Sequence, residues 1–138
     1  MIAYVDSSVL LRVVLGQRNR LKEWKSIDRG VSSALVEVEC LRTLDRLRLV
    51  TGIEPRPLAL RREATFRLIE ALEVVELGAG VLVRASHPLP MPLGILDAIH
   101  LATALLWRER TGEEIVMATH DEALALAARG AGLRAVGV

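Results

Sequence analysis

The sequence predicts a single α/β domain whose mainly parallel sheet of about four or five strands is covered by helices. Two observations carry that prediction. Strand-like and helix-like hydrophobic patterns alternate from Ile2 to Val138, which is the signature of parallel strands joined by helical crossovers. The 138 residues contain no internal repeat, low-complexity tract or domain boundary, and 51% of them are hydrophobic, enough to bury one core spanning residues 1–138.

Taken in order, Ile2 to Val5 is a short β-prone run that ends at Asp6, and Ser7 and Ser8 are candidate N-caps for a helix through Val14. A second helix is predicted over Asn19 to Ile27, and a short strand or turn over Gly30 to Ser32. Ser33 is placed to cap an amphipathic helix from about Ala34 to Leu49, which Gly52 ends. Pro55 and Pro57 open a helix to about Leu72, followed by the β run Val74 to Leu77. Gly80 to Ala85 forms one short helix. The prolines at 88, 90 and 92 suit neither a helix interior nor a central strand, so that segment is an ordered loop. A long helix follows from about Leu93 to Arg110 and stops at Gly112. Ile115 to Ala118 reads as a strand, Asp121 to Arg129 as a helix and Arg134 to Val138 as the last strand.

Composition excludes several classes. A net charge of +1 and a pI near 8.0 rule out coating of nucleic acid by charge alone, so any nucleic-acid contact must be local. The only aromatics are Tyr4, Trp24, Phe66 and Trp107, too few and too scattered for a base-stacking platform. Cys40 is the single cysteine; it excludes an internal disulfide and a cysteine-based zinc site, fits a reducing compartment, and reads as a small buried hydrophobe. Asp6 and Arg12 interrupt the apolar N-terminus, which makes a poor signal peptide. The longest apolar stretch, about Ala98 to Trp107, contains His100 and is too short to span a bilayer. The expectation is a soluble, cytoplasmic protein with no membrane association.

Asp97 stands out chemically, because nearly every other position between Leu93 and Leu106 is apolar. A helix apolar on almost all sides is a buried one, and Asp97, His100 and Thr103 step along a single narrow polar stripe. A carboxylate there needs a partner. Helix capping or an arginine pair would provide one. Asp97 is accompanied, however, by Asp6 and Asp121 at the carboxyl edge of the predicted sheet, where open parallel sheets bind ligands, and by Glu37 and Glu39 on the helix after Ser33. Two carboxylates about 4 Å apart repel by about 4 kcal/mol at an effective dielectric near 20, so three or four together call for a cation. An all-carboxylate set suits Mg²⁺ or Mn²⁺ better than zinc. Such an ion activates water and neutralises charge on a phosphate, which implies phosphodiester hydrolysis.

Four blocks then carry a resemblance: MIAYVDSS at 1–8, SSALVEVECLRTL at 32–44, LDAIHLATAL at 96–105 and MATHDEALALAARGAGLRAV at 117–136. In this order and spacing, and across the whole chain, they resemble the PIN-domain ribonuclease toxins of bacterial toxin–antitoxin modules, the VapC-like group. The resemblance implies a three-layer α/β/α fold and an acidic pocket that binds Mg²⁺ or Mn²⁺ to cut RNA. Carried onto this chain, the metal-binding and catalytic positions are Asp6, Glu39, Asp97 and Asp121, with Thr119 matching a Thr or Ser that holds a water or phosphate. It further implies a small antitoxin whose C-terminal segment enters the pocket, and a homodimer.

Helical spacing alone does not decide between Glu37, on the Leu41 and Leu44 side, and Glu39, turned toward Arg42, Thr43 and Arg46; the register of the block favours Glu39. His100, one turn from Asp97, is either a satisfied helix histidine or a group that positions that carboxylate. Arg42, Arg46 and Arg48 either contact RNA phosphates or pair along their helix with Glu39 or Asp45. Two other readings remain open: a catalytically silent PIN-like RNA-binding or assembly module, and a phospho-acceptor receiver-like domain. The latter lacks a suitably placed lysine near a late strand.

Overall fold

The computed structural model describes all 138 residues. Its strands are β1 (Ile2–Val5), β2 (Arg29–Ser33), β3 (Glu73–Val75), β4 (Val116–Ala118) and β5 (Arg134–Val136). Its helices are α1 (Ser7–Val14), α2 (Leu35–Thr51), α3 (Pro55–Glu70), α4 (Ala79–Ser86), α5 (Ile95–Thr111) and α6 (Glu122–Gly130). All five strands pair in parallel in the order β3-β2-β1-β4-β5.

Alternation along β1 sorts the core into two layers, because neighbouring residues of a strand face opposite sides. Ala3 and Val5 pack with Val9 and Leu10 of α1, Val36 and Cys40 of α2 and partly buried residues of α3. Tyr4 faces the other way, into a larger cluster with Leu101, Leu105 and Trp107 of α5 and Leu124 of α6. The result is a three-layer α/β/α domain with its sheet buried on both faces. Cys40 is fully buried in the first cluster. No helix is long and apolar enough to cross a membrane.

Several elements differ from the sequence prediction. Asn19 to Ile27 does not form an α-helix; only Lys22–Ser26 curls, as a 3₁₀ turn. Leu21, Trp24 and Ile27 recur every third residue and all pack on the α1 side of the sheet, a spacing that a 3₁₀ turn aligns and an α-helix would spread. The cap of α1 is Asp6, not Ser7 or Ser8. The long apolar helix is buried from Ile99 to Leu105 and at Trp107, but its first turn is not: Ile95 is 81% exposed and Leu96 49%. At its other end α5 stops at Gly112, whose φ of 72° lies in the left-handed region that ends helices and favours glycine.

Candidate active site

From β1 the chain builds outward through β2 to β3 on one side, and β4 and β5 lie on the other. The carboxyl ends of β1 and β4 therefore form the point where connections diverge, and such a switch point opens a crevice. Asp6 follows β1, and the Thr119–Asp121 segment follows β4.

Asp6 is 5% exposed and every part of its carboxylate is engaged. Oδ1 accepts from the Ser8 hydroxyl at 2.6 Å and from the Val9 N–H at 3.2 Å, while Oδ2 accepts from the Thr119 hydroxyl at 2.6 Å. Burial pushes its pKa up, against the pull of the two hydroxyls, His100 and the Val9 N–H. Its partners are themselves tied down. Ser8 Oγ accepts from the His120 N–H at 2.9 Å, and Thr119 Oγ1 accepts from the Asp121 N–H at 3.0 Å. Thr119 is fully buried, so its hydroxyl fixes Asp6 to the loop after β4. Asp121 caps α6, its Oδ1 accepting from the Leu124 N–H at 2.8 Å.

Glu39 is held by a second network. The buried stripe of α2 is Val36, Cys40 and Leu44, and Glu39 flanks it, half-buried, while Glu37 is exposed. Glu39 Oε1 lies 2.5 Å from His100 Nε2, and His100 Nδ1 lies 2.7 Å from the Tyr4 hydroxyl. A carboxylate oxygen only accepts, so Nε2–H donates to Glu39; in the neutral ring Nδ1 then accepts from Tyr4. Burial, followed by the charge of Asp6, raises the Tyr4 pKa and keeps its hydroxyl a donor. A core residue of β1 thus orients a carboxylate on α2 through a histidine on α5. Composition and spacing offered no sign of this link, although a histidine inside an apolar helix face needs a partner at each ring nitrogen.

Asp97, in the first turn of α5, meets the other acids. Its pKa is raised by desolvation first, then by Asp121, Asp6 and Glu39, with His100 opposing. Asp6, Glu39 and Asp121 thus each oppose the charge of one half-buried carboxylate. As the side chains stand, no three His, Cys, Asp or Glu groups converge tightly enough to enclose a metal ion. The donor chemistry nevertheless fits a hard divalent cation: oxygen-only, anionic and mutually repelled. Of the arginines on α2, Arg48 pairs with Asp45 at 3.0 Å, exposed to solvent, while Arg42 and Arg46 form no ion pair.

Fold and site together define a parallel α/β domain with carboxylates at the carboxyl ends of β1 and β4, its switch point. The PIN-domain family model matches residues 3–130, and the chain belongs to that family. Its fold is similar to that of a chain in a toxin–antitoxin complex from Klebsiella pneumoniae, at TM-score 0.64 and 16% identity with 93% of each chain covered. It is similar also to VapBC2 from Rickettsia felis, solved with a DNA fragment from their promoter, at TM-score 0.68 and 10% identity over 98% of this chain and 97% of that one. PAE2754 from Pyrobaculum aerophilum matches at TM-score 0.60 and 18% identity, over 98% of this chain and 84% of that one. No curated relative matches the sequence.

Proposed function

We propose that this PIN domain is a metal-dependent endoribonuclease, the toxin of a type II toxin–antitoxin pair. The observation that carries the reading is the rim where β1 and β4 end: Asp6 is buried there and bonded to the Thr119 hydroxyl at 2.6 Å, while Asp121 caps α6 and Asp97 sits in the first turn of α5. A site that holds like charges against one another favours a cationic ligand. A bound Mg²⁺ or Mn²⁺ supplies activation of water and neutralisation of charge on the scissile phosphate.

The chain's own residues prepare that chemistry. Asp6, Glu39, Asp97 and Asp121 are the metal-holding carboxylates. Thr119 and Ser8 are positioning residues that fix both oxygens of Asp6, and the Tyr4–His100 pair fixes Glu39. Asp97 and Asp121 sit at the first turn and the cap of their helices, where the backbone dipole offsets part of their charge. A toxin–antitoxin complex among the similar structures supports a small antitoxin as partner, and the exposed Ile95 and Leu96 beside Asp97 offer it apolar contact at the mouth. The homodimer and cytoplasmic location belong to the same reading.

The test is RNA cleavage with Mn²⁺ or Mg²⁺ against a chelator control. Cleavage in the wild type should fall at least about a hundredfold in Asp97→Ala. Asp97 is a cleaner target than Asp6, because removing the Asp6 cap costs about 1 kcal/mol of stability as well. Wild-type cleavage by a folded Asp97→Ala rejects the assignment. Mn²⁺ binding by calorimetry without cleavage of any RNA points instead to a silent module.

A further inference from the structure

The loop after β4 carries Thr119 and Asp121, and it is bonded on both sides. On the β1 side, Asp6 N–H donates to the Ala118 carbonyl at 3.3 Å, the Thr119 hydroxyl donates to Asp6 Oδ2 at 2.6 Å, and His120 N–H donates to Ser8 Oγ at 2.9 Å. On the β5 side, Thr119 N–H donates to the Val136 carbonyl at 3.1 Å, and His120 Nδ1 lies 2.7 Å from the Gly137 carbonyl. His120 thus joins the two sides, one through its backbone and the other through its ring.

A carbonyl only accepts, so Nδ1 carries the proton and donates. The other ring nitrogen, Nε2, is buried and makes no hydrogen bond, so the ring's polar hold on its surroundings is the Nδ1 bond alone. Gly137 is built to receive it. Its φ of 105° lies in the region that favours glycine, and a Cβ there would stand 2.3 Å from the Thr119 carbonyl oxygen. Only a residue without a side chain brings that carbonyl within reach of the ring.

Both oxygens of Asp6 depend on this loop. Thr119 holds Oδ2 directly. Ser8 holds Oδ1 with its single hydroxyl proton, while its oxygen accepts from the His120 N–H. The Thr119 hydroxyl also accepts from the Asp121 N–H at 3.0 Å. A displacement of residue 120 therefore reaches Asp6 by two routes and Asp121 through the backbone.

We propose that His120 is a positioning residue of the metal site: its Nδ1–H bond to the Gly137 carbonyl fixes the loop that holds Asp6 and carries Asp121, and so sets how tightly the site takes a divalent cation. The inference rests on the metal-dependent reading of that site. Groups that orient the ligands set the affinity of a metal site almost as strongly as the ligands do. A ring that merely fastened β5 to the domain would, when lost, lower stability and leave the affinity of the folded protein unchanged.

The experiment compares Mn²⁺ affinity, by calorimetry, with stability, by urea unfolding, in a set of variants. Asn carries its amide nitrogen on the γ carbon, as His carries Nδ1, whereas Gln carries it one carbon further out. His120→Gln should weaken Mn²⁺ binding about tenfold, and His120→Asn should stay within about twofold of wild type. Arg108→Ala loses the bonds to the Ala131 and Gly132 carbonyls ahead of β5; it should lower stability and keep full affinity. Gly137→Ala, with His120 intact, should weaken binding as His120→Gln does, and combining the two should add little because both break one bond. RNA cleavage lost by His120→Gln at low Mn²⁺ should return at saturating Mn²⁺. Ring nitrogen resonances of the metal-free wild type should place the His120 proton on Nδ1. Equal Mn²⁺ affinity in His120→Gln and wild type overturns the proposal, as do an Asn variant as weak as the Gln variant and a proton found on Nε2 alone. The expected affinity pattern in a protein that cuts no RNA rejects the ribonuclease reading alone. Wild-type cleavage with equal affinities across the set rejects only the positioning role, and a wild type that binds no Mn²⁺ rejects both.

Discussion

The two rims of the sheet are built on opposite electrostatic plans. At the amino rim opposite charges meet: the Met1 ammonium pairs with Asp28, and Arg29, opening β2, bridges Glu73 at 3.3 Å and Glu113 at 2.8 Å. Glu73 also accepts from the buried Trp107 indole N–H at 2.8 Å. At the carboxyl rim, Asp6, Glu39, Asp97 and Asp121 form no ion pair with Lys or Arg; hydroxyls and a backbone N–H hold Asp6, a backbone N–H holds Asp121 and one histidine holds Glu39. Both rims carry several carboxylates, so acid content does not separate them. Pairing does: matched charges serve the fold, while unmatched like charges cost stability unless a ligand relieves them.

That contrast can be broken or sharpened in three ways, beginning with the largest effect. Mn²⁺ at about a hundred times its dissociation constant should add about 2.7 kcal/mol to wild-type stability. Thermal melting should show the rise, and it should vanish in Asp97→Asn but persist in Glu73→Ala. An unchanged melting temperature in the wild type would remove the carboxyl rim's claim to a cation.

Glu73→Ala should cost about 2 kcal/mol, chiefly by leaving the Trp107 N–H unsatisfied, without altering RNA cleavage. Urea unfolding followed by Trp fluorescence measures it. A loss of cleavage in the folded variant would mean that the rims are coupled.

Asp97→Asn should act in the opposite direction and by less. The folded-state pKa of Asp97 lies above its ordinary value, so the ionised group destabilises the fold. That cost is absent below the unfolded pKa, grows as pH rises and is complete above the folded pKa. The variant should therefore melt above the metal-free wild type at neutral pH, by less than about 1 kcal/mol because solvent screens a half-buried group, and the gain should disappear as pH falls through the carboxylate range. No gain at neutral pH would show that Asp97 does not face its like.

Much of this was legible in the linear chain, for identifiable reasons. Five β-prone runs separated by helical patterns implied a parallel sheet, and parallel strands place their carboxyl ends, hence Asp6 and the Thr119–Asp121 segment, on one rim. Helix stops at Gly52 and Gly112 were visible because left-handed caps favour glycine. The Asn19–Ile27 segment was misread because Leu21, Trp24 and Ile27 suit a period of three as well as one of 3.6.

By itself the sequence determined the α/β class and the succession of strands and helices, because periodicity and turn chemistry are local. Only the tertiary structure decided how the acids of the carboxyl rim are held. The link from Tyr4 through His100 to Glu39 joins residues 96 and 61 positions apart, and the Thr119–Asp6 bond spans 113. Contacts at such separations follow from strand order and the packing of α2 and α5 on the sheet, which no local window of sequence contains.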